Sequence, residues 1–247
     1  MKKISVIMAC KNSSKTIKDS IVSFLNQKYL NKELLIIDGG SIDQTIEIVK
    51  EFNHKDIHVN QINNLGLYAS INYGIKKSTG DIIGLLHSDD TYFSDNALEN
   101  IAISFNSYDV DAVYSDIVFV NNEYKVIRKW ICDNIDSESA SNGLLPPHTG
   151  LYLNRKVFKI LGYYNEKYKI SSDIEFMYKL FIEKRLKKFH LKSYTLNMQI
   201  GGLSTKSPLS IVKANIEVYK ILKKLGVKFP MIMIFKKLII KIKQYFL

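Results

Sequence analysis

The chain has 247 residues, of which 46% are apolar and 24% are charged, as in an ordinary globular protein. Its two cysteines, Cys10 and Cys132, are far apart and lack the spacing of zinc ligands, so the sequence suggests neither a disulfide framework nor a zinc site. This cysteine usage suits a reducing cytoplasm. Polar Lys11 and Asn12 interrupt the first apolar run too early for a signal peptide, and no run of ~18 apolar residues predicts a membrane-spanning helix.

The net charge of +11 is concentrated in the C-terminal third of the chain. From Phe176 onward there are 16 Lys and Arg residues against two Glu, a local balance of +14, whereas residues 1–175 have a balance of −3. This asymmetry indicates an anionic surface or polymer as a partner for the C-terminal end. No RNP-like aromatic motif or helix-turn-helix pattern accompanies the charge, so we expect no nucleic-acid partner.

Apolar strands alternate with amphipathic helices in the first part of the chain. Because the connections are short, this alternation predicts right-handed βαβ units and a parallel sheet. The predicted strands are Ile4–Ala9, Leu34–Ile37, Ile57–Ile62 and Ile82–Leu86, and the predicted helices lie within 16–27, at Thr45–Phe52 and at Leu67–Lys77.

After residue 110 the pattern changes to a hairpin, a polar loop and further helices. Ser207 and Pro208 are typical of an N-cap and the first helical position. The predicted elements are strands at Ala112–Val120 and Lys125–Trp130 with a turn at 121–123, a loop at 133–147, a strand at Leu151–Leu153 and a helix at Asp173–Arg185.

Three polar segments, 10–12, 38–41 and 87–90, directly follow predicted strands. In an open α/β sheet, ligands bind at the carboxyl ends of the strands, so we expect these segments to line one site. The chain has no GxGxxG after its first strand and no P-loop motif, so neither a dinucleotide fingerprint nor a P-loop is predicted. The adjacent carboxylates of Asp89 and Asp90 could be ligands for a cation that carries a phosphorylated substrate, although helix capping or an exposed loop is the alternative.

Four segments resemble glycosyltransferase family 2: SVIMACKNSSKTIKDSIVSFLNQ, ELLIIDGGSIDQTIEIV, NLGLYASINYGIKKSTGDIIGLLHSDD and HTGLYLNRKVFKILGYYNEKYKISSDIEFMYKL. The resemblance extends over residues 3–205. It implies the GT-A fold, an α/β fold with a Rossmann-like mixed sheet flanked by helices. It also implies a nucleotide-sugar donor, with UDP favoured, a divalent cation (Mn²⁺ or Mg²⁺) and inversion at the anomeric carbon.

The resemblance implies donor contacts at the ends of the first strands. The Asp38 carboxylate would accept from a uracil N–H or a ribose hydroxyl, although an Asx-turn or N-cap is the alternative for this residue. The nucleotide-sugar-binding residues are expected to be Ala9, Lys11, Asn12, Asp38, Gly39, Gly66, Ser88 and Asp89.

The D-x-D motif of the family corresponds to His87-Ser88-Asp89 in this chain. The resemblance therefore implies Asp89 as a metal ligand. His87 departs from the family pattern, because a neutral imidazole does not supply the missing negative charge. Asp90 either compensates as a second metal ligand or caps the following turn.

The segment SSDIEFMYKL resembles the family segment E-D-x-D/E-L-x-x-R, which implies Asp173 as the base that accepts the acceptor's proton. Helix capping is the alternative for Asp173. Ser172 and Lys179 depart from the family pattern. Residues 201–204 resemble a closing loop of the family. On the acceptor side we expect His148, Asp116 and Glu175, with a structural role as the alternative for His148 and a hairpin role for Asp116.

Residues 230–247 combine four lysines with apolar residues at helical spacing, which is typical of a helix lying on an anionic membrane. The alternative is a helix docked on the catalytic domain. The apolar positions are Met231, Phe235, Leu238, Ile242 and Phe246.

The sequence thus predicts a catalytic domain at 1–205, divided into a nucleotide-sugar-binding half (1–110) and an acceptor-binding half (111–205), and a basic amphipathic helical extension at 206–247. The leading hypothesis is a metal-dependent, inverting hexosyltransferase at the cytoplasmic face of the cell membrane. Its acceptor would be a polyprenyl-diphosphate-linked saccharide in surface polysaccharide synthesis, such as O-antigen or capsule. The alternative is a non-catalytic nucleotide-sugar-binding or scaffolding protein with the same fold.

Overall fold

A computed structural model describes residues 1–201 and 207–244. Residues 202–204 of the predicted closing loop lie outside the described residues. The strands are β1 (Ile4–Cys10), β2 (Lys32–Asp38), β3 (Ile57–Gln61), β4 (Ile82–Leu85), β5 (Thr91–Tyr92), β6 (Ala112–Val120), β7 (Val126–Trp130), β8 (Leu151–Asn154) and β9 (Lys188–Gln199). The helices are α1 (Ile17–Leu25), α2 (Thr45–Glu51), α3 (Leu67–Lys77), α4 (Ala97–Ser107), α5 (Ser137–Ser141), α6 (Lys156–Leu161), α7 (Ser172–Ile182), α8 (Pro208–Lys224) and α9 (Pro230–Lys243), with a 3-10 turn at His148–Gly150.

The strands form one mixed sheet in the order β3-β2-β1-β4-β8-β6-β9-β5, and β7 pairs with β6. Strands β1 to β4 run parallel, as predicted, whereas β8 is antiparallel to both β4 and β6. Both predicted halves contribute strands to this sheet. The assignment of one half to the nucleotide sugar and the other to the acceptor stays a prediction.

Helices cover both faces of the sheet, which explains why β1, β2 and β4 are nearly continuous apolar runs. Alternate side chains of β1 enter two separate clusters, with Ile4 and Met8 on one face and Ile7 on the other. Phe24 of α1 is fully buried on the first face, and Ile71 of α3 packs on the second.

Several elements differ from the prediction. The predicted loop 133–147 contains the short helix α5, whose N-cap Asp136 accepts a hydrogen bond from the Ser139 N–H at 2.7 Å. Helix α7 ends at Ile182 rather than Arg185, because Glu183 is extended, with ψ at 103°. Strand β9 was not predicted. Its pairing with β6 shifts register at a bulge near Asp116, and this bulge breaks the alternation of inward and outward side chains along β9.

The C-terminal helices pack on α7. Tyr178 of α7 belongs to a small apolar cluster with Val218 and Leu222 of α8 and Met233 and Ile234 of α9. The Ser207 hydroxyl accepts from the Ser210 N–H at 3.1 Å, which confirms the predicted N-cap of α8. Across residues 1–201 and 207–244, no helix combines the length and apolar character needed to cross a bilayer.

Candidate active site

Hydrogen bonds join the loops that follow β1, β2 and β4. The Asn12 N–H donates to Ser41 Oγ at 2.8 Å, and the Ile42 N–H donates to Asn12 Oδ1 at 2.9 Å. The Ser13 and Ser88 hydroxyls lie 2.8 Å apart. These contacts confirm that the three polar segments meet at one edge of the sheet.

Two predicted glycines have different surroundings in these loops. A Cβ added to Gly39 would lie 3.2 Å from the Leu65 carbonyl oxygen, so a side chain here would push the neighbouring loops apart. Gly66 is the N-cap residue of α3, and open space surrounds it. Lys11 is exposed beside Gly39, and Ala9 pairs with Ile37 near the end of β1.

Asp38 is buried, and its oxygens accept from the turn that follows it. The Gly40 N–H and the Ser41 N–H donate to Oδ2 at 3.2 and 3.0 Å, and the Ser41 hydroxyl donates to Oδ1. The Asx-turn considered for Asp38 is therefore present. Burial and the Asp38 charge raise the pKa of Cys10 to about 12, so its thiol stays neutral. Nucleotide binding by Asp38 stays a prediction.

His87, Asp89 and Asp90 form a compact acidic group, with one possible ligand atom of each within 4.8 Å of the others. Asp90 is buried, and its Oδ1 accepts from the Gln199 N–H at 3.0 Å. Its Oδ2 lies 3.4 Å from His87 Nδ1 and accepts no hydrogen bond among the described residues. Asp90 therefore fixes the end of β9 and leaves one buried oxygen free for a cation.

The electrostatics of this group favour an added positive charge. Burial and the neighbouring Asp90 raise the pKa of Asp89, although His87 opposes the shift. Burial lowers the pKa of His87, but the carboxylates of Asp90 and Asp89 outweigh it and leave the pKa raised. Carboxylate oxygens are the ligands that Mn²⁺ and Mg²⁺ prefer, so Asp89 and Asp90 fit the implied cation.

Asp173 lies in the first turn of α7, where Ser171 is the N-cap residue, so the helix-cap role considered for Asp173 is wrong. The Tyr68 hydroxyl lies 2.9 Å from Asp173 Oδ1 and 2.6 Å from the Ile170 carbonyl oxygen. Burial raises the pKa of Tyr68 well above its usual range, so this hydroxyl remains a donor. Tyr68 therefore ties Asp173 to the loop that precedes α7.

His148 lies in the same part of the molecule. Its Nε2 is 2.9 Å from the Tyr164 hydroxyl, and the Tyr164 ring stacks on Tyr68 with centroids 5.9 Å apart. Burial lowers the pKa of His148 to about 4, even though the Asp173 charge acts in the opposite direction. Asp173 also raises the pKa of His87. Asp173 is thus close enough to influence the charge of both His148 and the group formed by His87, Asp89 and Asp90.

Glu175 is buried within an ion-pair network at the start of α7. It lies 2.9 Å from Lys179 Nζ and 3.6 Å from Lys224 Nζ, and it accepts from Asn165 Nδ2 at 3.0 Å. Burial raises its pKa, but the hydrogen bonds from Lys179 and Asn165 outweigh burial and lower it. Glu175 therefore links α7 to the 165 loop and to α8, and its acceptor-side role stays a prediction.

Asp116 is buried where β6 meets β7 and β9. It accepts from the Cys132 N–H at 2.8 Å and lies 2.9 Å from His190 Nε2. These contacts stabilise the register shift between β6 and β9. Neither partner belongs to the predicted site residues, and the acceptor-side role of Asp116 stays a prediction.

The chain matches the model of glycosyl transferase family 2 over residues 5–182. An uncharacterized glycosyltransferase of Haemophilus influenzae is 41% identical over 95 residues, which span 37% of this chain but only 38% of the relative. The poly-β-1,6-N-acetyl-D-glucosamine synthase of Staphylococcus epidermidis is 38% identical over 96 residues, 38% of this chain and 23% of that one.

Two solved structures share the fold. Staphylococcus aureus TarS 1–349 in complex with UDP-GlcNAc has a TM-score of 0.71 at 19% identity and covers 93% of this chain and 73% of its own. The mannosyltransferase PcManGT of Pyrobaculum calidifontis, with GDP-Man and Mn²⁺, has a TM-score of 0.66 at 13% identity and covers 94% and 68%. These likenesses establish the GT-A fold predicted from the sequence. Because the family model matches most of the chain, the protein belongs to glycosyltransferase family 2.

Proposed function

We propose that this protein is a metal-dependent, inverting hexosyltransferase that uses a nucleotide-diphosphate sugar, with UDP as the favoured nucleotide. The observation that carries the proposal is the cluster of His87, Asp89 and Asp90 at the edge of the sheet where the loops after β1, β2 and β4 meet. Asp173 is close enough to this cluster to influence the charge of His87. UDP-GlcNAc in TarS and GDP-Man with Mn²⁺ in PcManGT support a nucleotide-sugar donor and a divalent cation.

Asp89 and Asp90 would hold the cation, with the free Oδ2 of Asp90 as one available ligand. When bound, a divalent cation neutralises the diphosphate leaving group. The loops after β1 and β2 would bind the nucleotide. The exposed backbone of Gly66 at the start of α3 and the turn held by Asp38 supply the polar surface for it.

Asp173 would act as the general base. The acceptor hydroxyl oxygen attacks the anomeric carbon from the face opposite the diphosphate, and the bond between that carbon and the diphosphate oxygen breaks. The hydroxyl proton passes to the Asp173 carboxylate, so one displacement gives net inversion. Tyr68 holds one Asp173 oxygen at 2.9 Å and leaves the other available for this proton.

The surface of α9 supports a membrane-linked acceptor. At about 100° per residue, Met231, Ile232, Phe235 and Ile239 form one stripe, opposite the docked Met233 and Ile234. The four stripe residues are all exposed. Docking and membrane binding are thus compatible, since they use opposite faces of the helix.

The C-terminal balance of +14 would attract anionic lipids. We therefore place the protein at the cytoplasmic face of the membrane, acting on a polyprenyl-diphosphate-linked saccharide in surface polysaccharide synthesis. The name of the Staphylococcus epidermidis relative supports a polysaccharide product.

A donor screen tests this function. Purified protein is incubated with Mn²⁺, a panel of nucleotide sugars and a lipid-diphosphate saccharide, and products are read by mass spectrometry. We expect transfer from one UDP-sugar and none without metal. Donor binding with neither hydrolysis nor transfer would instead favour the non-catalytic scaffold, to which the departures at His87, Ser172 and Lys179 point.

A further inference from the structure

Glu217 of α8 binds the loop that leads into α7. Its Oε1 accepts from the Lys169 N–H at 3.0 Å, and its Oε2 accepts from the N–H groups of Ile170 and Ser171, each at 3.0 Å. Residues 169–171 belong to no helix or strand, so these backbone donors need an acceptor from elsewhere. One carboxylate thus satisfies three successive N–H groups with charge-assisted hydrogen bonds.

This loop contacts Tyr68, the hydrogen-bond partner of Asp173, and leads into the first turn of α7. The Ile170 carbonyl oxygen and Asp173 Oδ1 share the single proton of the Tyr68 hydroxyl, at 2.6 and 2.9 Å, and Ser171 is the N-cap residue of α7. Ser171 also donates from its hydroxyl to the Ala214 carbonyl oxygen of α8 at 3.2 Å. Helix α8 therefore fixes both the backbone before Asp173 and the partner of Tyr68.

The composition of the extension makes this contact unusual. Glu217 is the sole acidic residue of residues 206–247, which contain ten lysines. A segment that served only to attract anionic lipids would bind them more strongly without this carboxylate. The three hydrogen bonds that Glu217 accepts from the loop indicate a role other than lipid binding.

We propose that Glu217 is a positioning residue for the reaction and that α8 is part of the catalytic unit. It acts through the 169–171 loop by holding Asp173 where the acceptor hydroxyl loses its proton. This inference rests on the proposed role of Asp173. It assigns to the C-terminal extension a part in turnover that is separate from membrane binding.

The test compares Glu217→Ala and Glu217→Gln with wild type in full-length protein, using the donor and acceptor found in the screen. Val218→Ala is the matched control. Val218 is buried in the apolar cluster that includes Tyr178, so its truncation loosens α8 without removing a hydrogen bond to the loop. Each variant is measured for kcat, donor Kd and thermal unfolding.

We expect Glu217→Ala to lower kcat roughly 10- to 100-fold, as for a misplaced catalytic group, with donor Kd unchanged. Glu217→Gln keeps one acceptor oxygen and should fall between Ala and wild type. Val218→Ala should lose as much thermal stability as Glu217→Ala, while its kcat stays close to that of wild type. If Glu217→Ala does not fold, the comparison of Glu217→Gln with Val218→Ala decides.

Wild-type kcat in both Glu217 variants would overturn the inference. A loss of kcat in Val218→Ala equal to that in Glu217→Ala would also overturn it, because Glu217 would then act only through the packing of α8. Asp173→Asn in the same assay separates this outcome from a failure of the proposed function. If Asp173→Asn is inactive and the Glu217 variants are not impaired, only the inference about Glu217 fails. If Asp173→Asn retains full turnover, the base assignment itself fails.

Discussion

Neutral, half-buried His148 should make the protein sensitive to mild acid. Burial lowers the pKa of His148 to about 4, against 6.5 for an ordinary histidine. Between these two values the unfolded chain binds a proton at this residue that the folded chain does not bind. The stability that comes from this difference is present above pH 6.5 and is lost as the pH falls toward 4. By pH 4.5 the shift amounts to about 2 kcal/mol once partial solvent access to the ring is allowed for.

The assay is urea unfolding at pH 7 and pH 4.5, on wild type and on His148→Gln, which does not titrate in this range. Wild type should lose about 2 kcal/mol more unfolding free energy on acidification than the variant loses. His54→Gln, at an exposed loop position, is the matched control and should lose as much as wild type. An equal loss in wild type and His148→Gln would refute the assignment of a half-buried His148 that stays neutral in the folded protein.

Three further predictions concern the cation, the sheet and the membrane. Asp89→Asn should weaken Mn²⁺ binding in the presence of UDP by roughly 10- to 100-fold in a calorimetric titration; unchanged affinity would exclude Asp89 as a ligand. Gly84→Ala should lower the free energy of unfolding in urea by about 1–3 kcal/mol, because the added Cβ would overlap the Tyr152 ring. Adding Tyr152→Leu should restore part of this loss, and a Gly84→Ala variant as stable as wild type would contradict this packing. Phe235→Ser should weaken binding to anionic vesicles roughly 10-fold without lowering the melting temperature, since the Phe235 side chain is 65% exposed. Vesicle binding as strong as that of wild type would show that Phe235 does not contact the membrane.

The first part of the fold could be predicted because its central strands, β1, β2 and β4, are buried on both faces. Continuous apolar runs such as Leu34–Ile37 indicate such strands directly, and α3 begins and ends at the predicted residues. Strand β9 lacks this signal. Its bulge opposite Asp116 shifts the side-chain alternation, and most of its residues are only partly buried, so no period of two is visible in the sequence.

The candidate site was predictable where it follows strand ends and unpredictable where it depends on distant partners. The convergence of the three loops follows from a parallel sheet, and the structure confirms it. Tyr68 lies 105 residues from Asp173 in sequence, so no local pattern indicates their hydrogen bond. Tyr68 and Tyr164 have the spacing of ordinary packing residues, and Glu217 lies in a basic helix that only tertiary contacts connect to the site.

The turnover of Asp173→Asn, measured beside its donor affinity, tests the central claim most directly. The substitution preserves the shape of the side chain and its contact with Tyr68 but removes the group that accepts the proton. We predict a loss of transfer of roughly 10²- to 10⁴-fold, with Mn²⁺-dependent donor binding largely intact. Transfer at the wild-type rate would contradict the account, because the acceptor proton would then pass to another group.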